Sequence, residues 1–194
     1  PFRRDIFFRT SMPPEPQLPA DPVRRYVLGA ELGRGGLGKV VEAWDGVLKR
    51  TVAVKLVLED LPAELRERFR RESEVTAQLE HPNIVPVHDL WESGDRLHLA
   101  MKRIRGRDLS TLLKDLARGE VETAKTYSRA RLLRVFQDIC LGVAYAHANG
   151  VIHRDLKPSN VMIGAFGETL IVDWGLAKSI LSAPAGAAPA SQAE

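Results

Sequence analysis

The chain of 194 residues contains a single cysteine, Cys140, only three methionines and 6% aromatic residues. One thiol excludes an intrachain disulfide framework, so packing must hold the fold, and a reducing compartment such as the cytoplasm is the expected setting. No apolar run approaches the roughly 20 residues that a membrane-spanning helix needs. There is no long run of Lys or Arg either. The 28 basic and 25 acidic residues leave a net charge of +3, a balance that reads as a solvated surface and argues against a nucleic-acid partner. The start lacks both an initiating Met and a signal-peptide core, which predicts a chain cut from something longer. What is present is 44% hydrophobic residues, enough for one sizeable core or two small lobes sharing a cleft.

Composition divides the chain. Residues 1–25, rich in Pro and Arg, are expected to form an extended linker, and residues 179–194, rich in Ala, Pro and Ser, a flexible tail. From Tyr26 the pattern is strand, glycine turn, strand: YVLGAEL, GRGGLGK, VVEAW. Gly33, Gly35 and Gly38 have GxGxxG spacing. Such glycines let backbone N–H groups approach phosphate without intervening side chains, but alone they are weakly specific, and a plain hairpin turn explains them too. The next strand, TVAVKLVL, sets Lys55 inside an apolar, β-branched run, where a lysine needs a counter-charge or a phosphate. A dinucleotide fold would instead join strand to helix and offer a carboxylate about 20 residues on.

Residues 61–79 are helical by period: Leu65, Phe69, Thr76 and Leu79 form one stripe, and Glu72 lies on it. Glu74 falls about 200° round the helix from Glu72 and should face solvent. A carboxylate facing a core must be paired, and Lys55 is its expected partner. Two strands, 85–91 and 97–101, flank a turn. Asp108 reads as the N-cap of a helix beginning LSTLL, and Ser128 as the cap of a long core helix whose stripe is Leu132, Val135, Ile139, Val143 and Ala146.

The densest chemistry is HRDLKPSN at 153–160, followed after a short hairpin by Asp173-Trp174-Gly175. A carboxylate, a lysine and a carboxamide on one loop, with a second carboxylate nearby, suit phosphoryl transfer. Together with VAVK at 52–55 and the glycine turn, these motifs resemble the protein kinase family over residues 26–178, in a style similar to the bacterial eukaryotic-like serine/threonine kinases.

The resemblance implies an α+β bilobal fold. Residues 26–105 would form a small lobe of antiparallel sheet plus one helix, with the hinge. Residues 106–178 would form an incomplete helical large lobe, and residues 179–194 the start of an activation segment or a tail. It implies transfer of the γ-phosphate of ATP, with Mg²⁺, to a Ser or Thr hydroxyl of a protein substrate. Asp155 would accept the hydroxyl proton, Lys157 neutralise the γ-phosphate, and Asn160 and Asp173 hold the metal. Lys55, paired with Glu72, would hold the phosphates beneath the backbone of Gly33, Arg34, Gly35, Gly36 and Gly38. Val40, Ala53 and Met162 would sandwich adenine, Met101 would stand behind it, the hinge backbone at Lys102, Arg103 and Ile104 would bind its edge, and Asp108 would approach the ribose. His153 would be structural and Arg154 an acceptor for a regulatory phosphate. Trp174 stands where the family usually has Phe, and Leu37 where it often has an aromatic residue. The alternative is a nucleotide-binding or scaffold module without transfer, poorly active because the rest of the large lobe is missing. The partly covered stripe of the long helix would then favour association, and a homodimer is expected on that ground.

Overall fold

A computed structural model describes residues 25–36, 38–58 and 61–174, together with the backbone of 178–179. The linker expected before residue 25, Leu37, Gly175 and the tail beyond residue 179 lie outside the described residues.

The β-branched and alternating runs build a five-stranded antiparallel sheet from β1 (Tyr26–Gly35), β2 (Gly38–Asp45), β3 (Arg50–Val57), β4 (Val87–Ser93) and β5 (Arg96–Lys102), in the order β1-β2-β3-β5-β4. Side chains alternate across a strand, and β3 shows the consequence. Val52, Val54 and Leu56 pack with Tyr26, Val41, Ala43 and Trp91 on one face. On the other, Val57 meets Leu97 and Phe69 of α1 (Ala63–Ala77), the one small-lobe helix among the described residues. Tyr26 stacks on Trp91 at 4.7 Å, and Trp91 on His98 at 4.9 Å. Along α1, Phe69, Ser73 and Thr76 are buried, as is Leu79 just beyond its end. Leu65, expected on the same stripe, is exposed in the first turn, where Phe69 one turn on takes the inward position.

One buried charge fixes the edge of this sheet. Asp45 has no exposed surface; it receives Arg25 through two hydrogen bonds of 3.0 and 2.9 Å, and the backbone N–H groups of Val47 and Leu48 at 3.1 Å each. Arg25 also reaches Asp89 at 3.2 Å, so the last residue of the expected linker is already anchored. The Arg25 guanidinium, aided by those two N–H groups and opposed by burial, holds the Asp45 carboxyl at about 2, below its ordinary 3.8. A depressed carboxyl contributes stability that is complete above the unfolded value and disappears as pH falls through the folded one. Stability of about 2 kcal/mol is therefore expected to be lost between pH 5 and pH 2 and to be missing at pH 7 in Asp45→Asn. Urea melts of both proteins across that range check it; parallel pH profiles would contradict it.

The second lobe opens with β6 (Gly106–Asp108), followed by α2 (Leu109–Ala117), α3 (Val121–Thr126) and α4 (Arg129–Ala148). Asp108 caps α2 by accepting the Thr111 N–H at 2.9 Å, and Ser128 caps α4. The short α3, capped by Glu120, was not legible as a periodic segment. Beyond α4 come β7 (Val151–Ile152), then β8 (Val161–Gly164) and β9 (Thr169–Ile171), which with β6 form a three-stranded sheet; β10 (Lys178–Ser179) pairs with β7. No helix among the described residues is long and apolar enough to cross a membrane.

The lobes are joined by more than the chain connection after β5. Residues 81–85 lie against β9: Ile171 N donates to Asn83 O at 2.8 Å, and Val85 N to Ile171 O at 3.0 Å. The Asn83 side chain donates to Thr169 O at 3.0 Å. Around these bonds one hydrophobic cluster includes Leu79, Ile84, Val85, Ile104, Ala146, Ile171 and Trp174, drawn from both lobes.

Candidate active site

Alternation places Val40 opposite Lys55 and Glu42 opposite Ala53, with Ala53 opposite Met101. Directly paired residues share a face, so one side of β2, β3 and β5 presents Val40, Ala53, Lys55 and Met101 to the cleft. Below it, Met162, Met101 and the half-buried Val143 pack against the cluster that holds the buried Ile104. Above the cleft runs the glycine turn. Gly38 has φ of +145°, and a Cβ there would lie 2.0 Å from Leu56 O, so the fold itself demands glycine. No such demand applies to Gly33, Gly35 or Gly36, where a Cβ would meet nothing within 4 Å. Open space over backbone N–H groups is what a bound phosphate would use. Arg34, between them, pairs with Glu31 at 2.8 Å on the surface.

Lys55 Nζ lies 2.5 Å from Asp173 Oδ1, although 118 residues separate them. The lysine is largely buried and sits 5.5 Å from the centre of the Phe69 ring. Here the structure departs from expectation: Lys55 does not pair with Glu72. The helix phase holds, since the Glu72 side chain is 11% exposed and that of Glu74 is 49% exposed and paired with Arg70. Glu72 instead accepts Arg68, one turn earlier on α1, at 2.9 Å, and Arg154 of the 153–160 loop at 3.1 Å. Two guanidiniums within reach satisfy the carboxylate, and Asp173 satisfies the lysine, so the burial argument is met by an exchange of partners.

The 153–160 loop is oriented from beneath by His153. This buried imidazole lies 3.0 Å from Val172 O through Nε2, receives the Asp155 N–H at Nδ1 (3.3 Å), and packs 4.5 Å from Trp174. Burial pushes it toward the neutral form, against the hydrogen bond to Val172. A neutral ring with Nε2–H donating and Nδ1 accepting makes both contacts. Arg154 beside it has φ of +63°, and Asp173 of +60°. For non-glycine residues this region is sparsely occupied and costs on the order of 1–3 kcal/mol each.

Asp155 accepts Lys157 Nζ at 2.8 and 3.0 Å, and Asn160 Nδ2 at 3.0 Å. Lys157 foremost, then Asn160, holds the Asp155 carboxyl below the usual carboxylate range, against its desolvation. It is therefore ionised near neutrality and able to accept a proton. Asn160, buried in a 3-10 turn, also donates to Asp155 O at 2.8 Å, and its own backbone carbonyl accepts Val172 N at 2.9 Å. That backbone bond ties the loop to the segment carrying Asp173. Both side-chain contacts of Asn160 use its nitrogen, which keeps the amide oxygen as a hard ligand.

Among the described residues no three His, Cys, Asp or Glu side chains converge on a metal cage. The Asp173 carboxylate and the Asn160 amide oxygen suit a cation completed by phosphate and water, the usual habit of Mg²⁺. Asp108 is committed to its cap, yet one helix cap leaves lone pairs for a further donor.

The sequence that builds this cleft has counterparts among known proteins. A protein named serine/threonine-protein kinase PknD from Chlamydia trachomatis serovar L2b is 44% identical over 160 residues, 80% of this chain and 17% of that protein. Its namesake from Chlamydia pneumoniae is 40% identical over 160 residues, again 80% and 17%. That from Protochlamydia amoebophila is 39% identical over 165 residues, 82% of this chain and 17% of its own length. The chain thus spans about a sixth of the length of these relatives. The protein kinase domain family matches residues 26–190. With the two-lobed cleft and most of the sequence in agreement, the chain belongs to the protein kinase domain family, among the bacterial eukaryotic-like kinases.

Proposed function

We propose that the chain carries the ATP-binding and phosphoryl-transfer centre of a protein serine/threonine kinase. The observation that carries this reading is the convergence of Lys55 and Asp173 in one cleft, beside the Asp155–Lys157–Asn160 cluster. An ammonium among apolar neighbours, a turn with open backbone, and an ionised carboxylate are the three things phosphoryl transfer asks of a protein: grip, positioning and a proton acceptor. Lys55 and the backbone at Gly33, Arg34, Gly35, Gly36 and Gly38 would hold the phosphates. Val40, Ala53 and Met162 would hold the adenine ring, with Met101 behind it, the hinge at Arg103 and Ile104 along its edge, and Asp108 toward the ribose. Asp155 would take the proton of the Ser or Thr hydroxyl as oxygen attacks phosphorus, and Lys157 would then face the transferring group. Asn160 and Asp173 would hold Mg²⁺, which supplies charge neutralisation on the phosphate oxygens.

Residues 26–105 are read as the small lobe and hinge, and 106–178 as part of the large lobe, with a protein as substrate and the cytoplasm as setting. Incorporation of labelled γ-phosphate into a generic basic protein, scored at Ser and Thr, tests the reading. Saturable Mg·ATP binding with no transfer would favour the alternative of a nucleotide-binding scaffold.

Glu72 is given a positioning role through Arg154, because it ties α1 to the residue that precedes Asp155. Glu72→Gln is expected to lower transfer about tenfold, the scale of one charge-assisted hydrogen bond, and Glu74→Gln to change it less than about twofold. Initial rates for the two variants decide between the faces of α1, and a larger loss in Glu74→Gln would refute this phase.

A further inference from the structure

The loop that follows α1 carries a cavity that the proposed chemistry leaves unused. It measures about 340 Å³, near the lower end of the ~300–1,000 Å³ typical of ligand sites. Its wall is mostly apolar, with Leu79, Ile84, Pro86 and Val87, and its only polar side chains are Glu80 and His81. Leu79 and Ile84 are buried, whereas Glu80 and Pro86 are exposed, so the cavity opens outward. Glu80 makes no ion pair among the described residues. An apolar hollow beside an unpaired carboxylate suits an apolar group followed by a cation. The same loop joins the lobes: Ile84 and Val85 belong to the cluster drawn from both, and Val85 N donates to Ile171 O. Filling the cavity therefore braces that joint.

We propose that this cavity is a docking site for the amino-terminal segment of the same chain, taking Phe7 and Phe8 into the apolar hollow and pairing Arg9 with Glu80. Sequence, entry point and reach support that occupant. Ile6, Phe7 and Phe8 are the only run of three large apolar side chains ahead of Tyr26, and cations stand on both sides, at Arg4 and Arg9. The tail at 180–194 has neither an aromatic residue nor a cation, so it lacks both halves of the match. The segment enters the sheet at Arg25, whose guanidinium reaches Asp89 at 3.2 Å. Asp89 is two residues along β4 from Val87 of the cavity wall, a spacing of about 7 Å. Residues 10–24 can extend over about 50 Å, ample for the return. A tether of this kind supplies an effective concentration on the order of millimolar, so weak contacts are enough. The docking is independent of what the cleft binds, since none of these residues is assigned to the nucleotide.

The test uses the whole chain. Phe8 is replaced by photoreactive benzoylphenylalanine in light and heavy-isotope chains, which are mixed equally, irradiated and mapped for cross-links. Links from position 8 to residues 77–87 within one chain are expected. Hydrogen exchange is then followed at the amides of Leu79, Glu80, Val85 and Ile171. Phe7→Ser with Phe8→Ser should speed it about tenfold, the scale of one aromatic side chain returned to water. Arg9→Glu and Glu80→Arg should each speed it about two- to fivefold, and the two together should restore the slow exchange. Folding is not at stake, because Glu80 is exposed and positions 7–9 precede the first strand. Cross-links landing elsewhere, links between light and heavy chains, exchange unchanged by the two serines, or a charge exchange no better than its single variants would each overturn the proposal. Links between light and heavy chains would make the occupant a second copy.

Discussion

Replacing Lys55 by methionine is expected to weaken Mg·ATP binding by about ten- to hundredfold and to leave the fold intact. The fold is spared because methionine keeps the apolar stem against Phe69, and because the abandoned Asp173 side chain is 45% exposed and returns to water. Because the buried partner is the one replaced and the remaining carboxylate reaches water, losing the pair costs about 1 kcal/mol. Binding is not spared. A charge-assisted hydrogen bond to phosphate contributes about 1.5–3 kcal/mol, and Lys55 offers its ammonium from a strand whose neighbours supply no other cation facing the cleft among the described residues. Asp173→Ala should weaken binding of the magnesium complex but not of free ATP, since in the proposed assignment it holds the ion. Calorimetric titration of wild type and both variants checks this, and equal affinities across the three would refute the assignment.

Asp155→Asn is expected to reduce phosphate transfer by about 10²- to 10⁴-fold, the usual worth of a positioned proton acceptor, with Mg·ATP affinity within about twofold of wild type. The amide preserves volume and one acceptor for Asn160 but cannot take a proton. The pH dependence follows from the same geometry. Lys157 and Asn160 keep the Asp155 carboxyl below its ordinary value of about 3.9, so the group stays ionised throughout the neutral range. As an acceptor it works fully wherever the carboxyl is ionised and is lost only as pH falls through its depressed value, so this residue leaves the rate flat from about pH 5 upward. Single-turnover rates at saturating ATP measure both effects. An Asp155→Asn variant within about threefold of wild type would remove Asp155 from the chemistry.

Much of the scaffold was legible because it depends on local regularities. The apolar run TVAVKLVL showed that Lys55 needs a counter-charge, the helix period turned Glu72 inward and Glu74 outward, and Asp108 and Ser128 capped the helices they precede. Choice of partner was not legible. Period gives the direction in which Glu72 points but not its distance from β3, and two arginines, one on its own helix and one 82 residues away, lie nearer. The Asp45 network and an ion pair of Glu42 with Arg103 were missed for a related reason. They join surface-coloured charges 20 and 61 residues apart, and composition alone reads such charges as solvated. The six-residue α3 was too short for any period to register.

The hydrogen bonds between residues 83–85 and β9 continue into Lys102 N donating to Pro86 O at 3.0 Å. Ile171, Val85, Pro86 and Lys102 thus form an unbroken seam along the back of the molecule, backed by the cluster that runs from Leu79 to Trp174. Two rigid bodies stitched along a line keep one easy relative motion, rotation about that line. Sliding and twisting would tear several backbone bonds at once. The displacement produced by such a rotation grows with distance from the seam, so the glycine turn sweeps the widest arc and the hinge peptide the narrowest. The base of a nucleotide would sit near the stationary axis and its terminal phosphate where the jaws travel most.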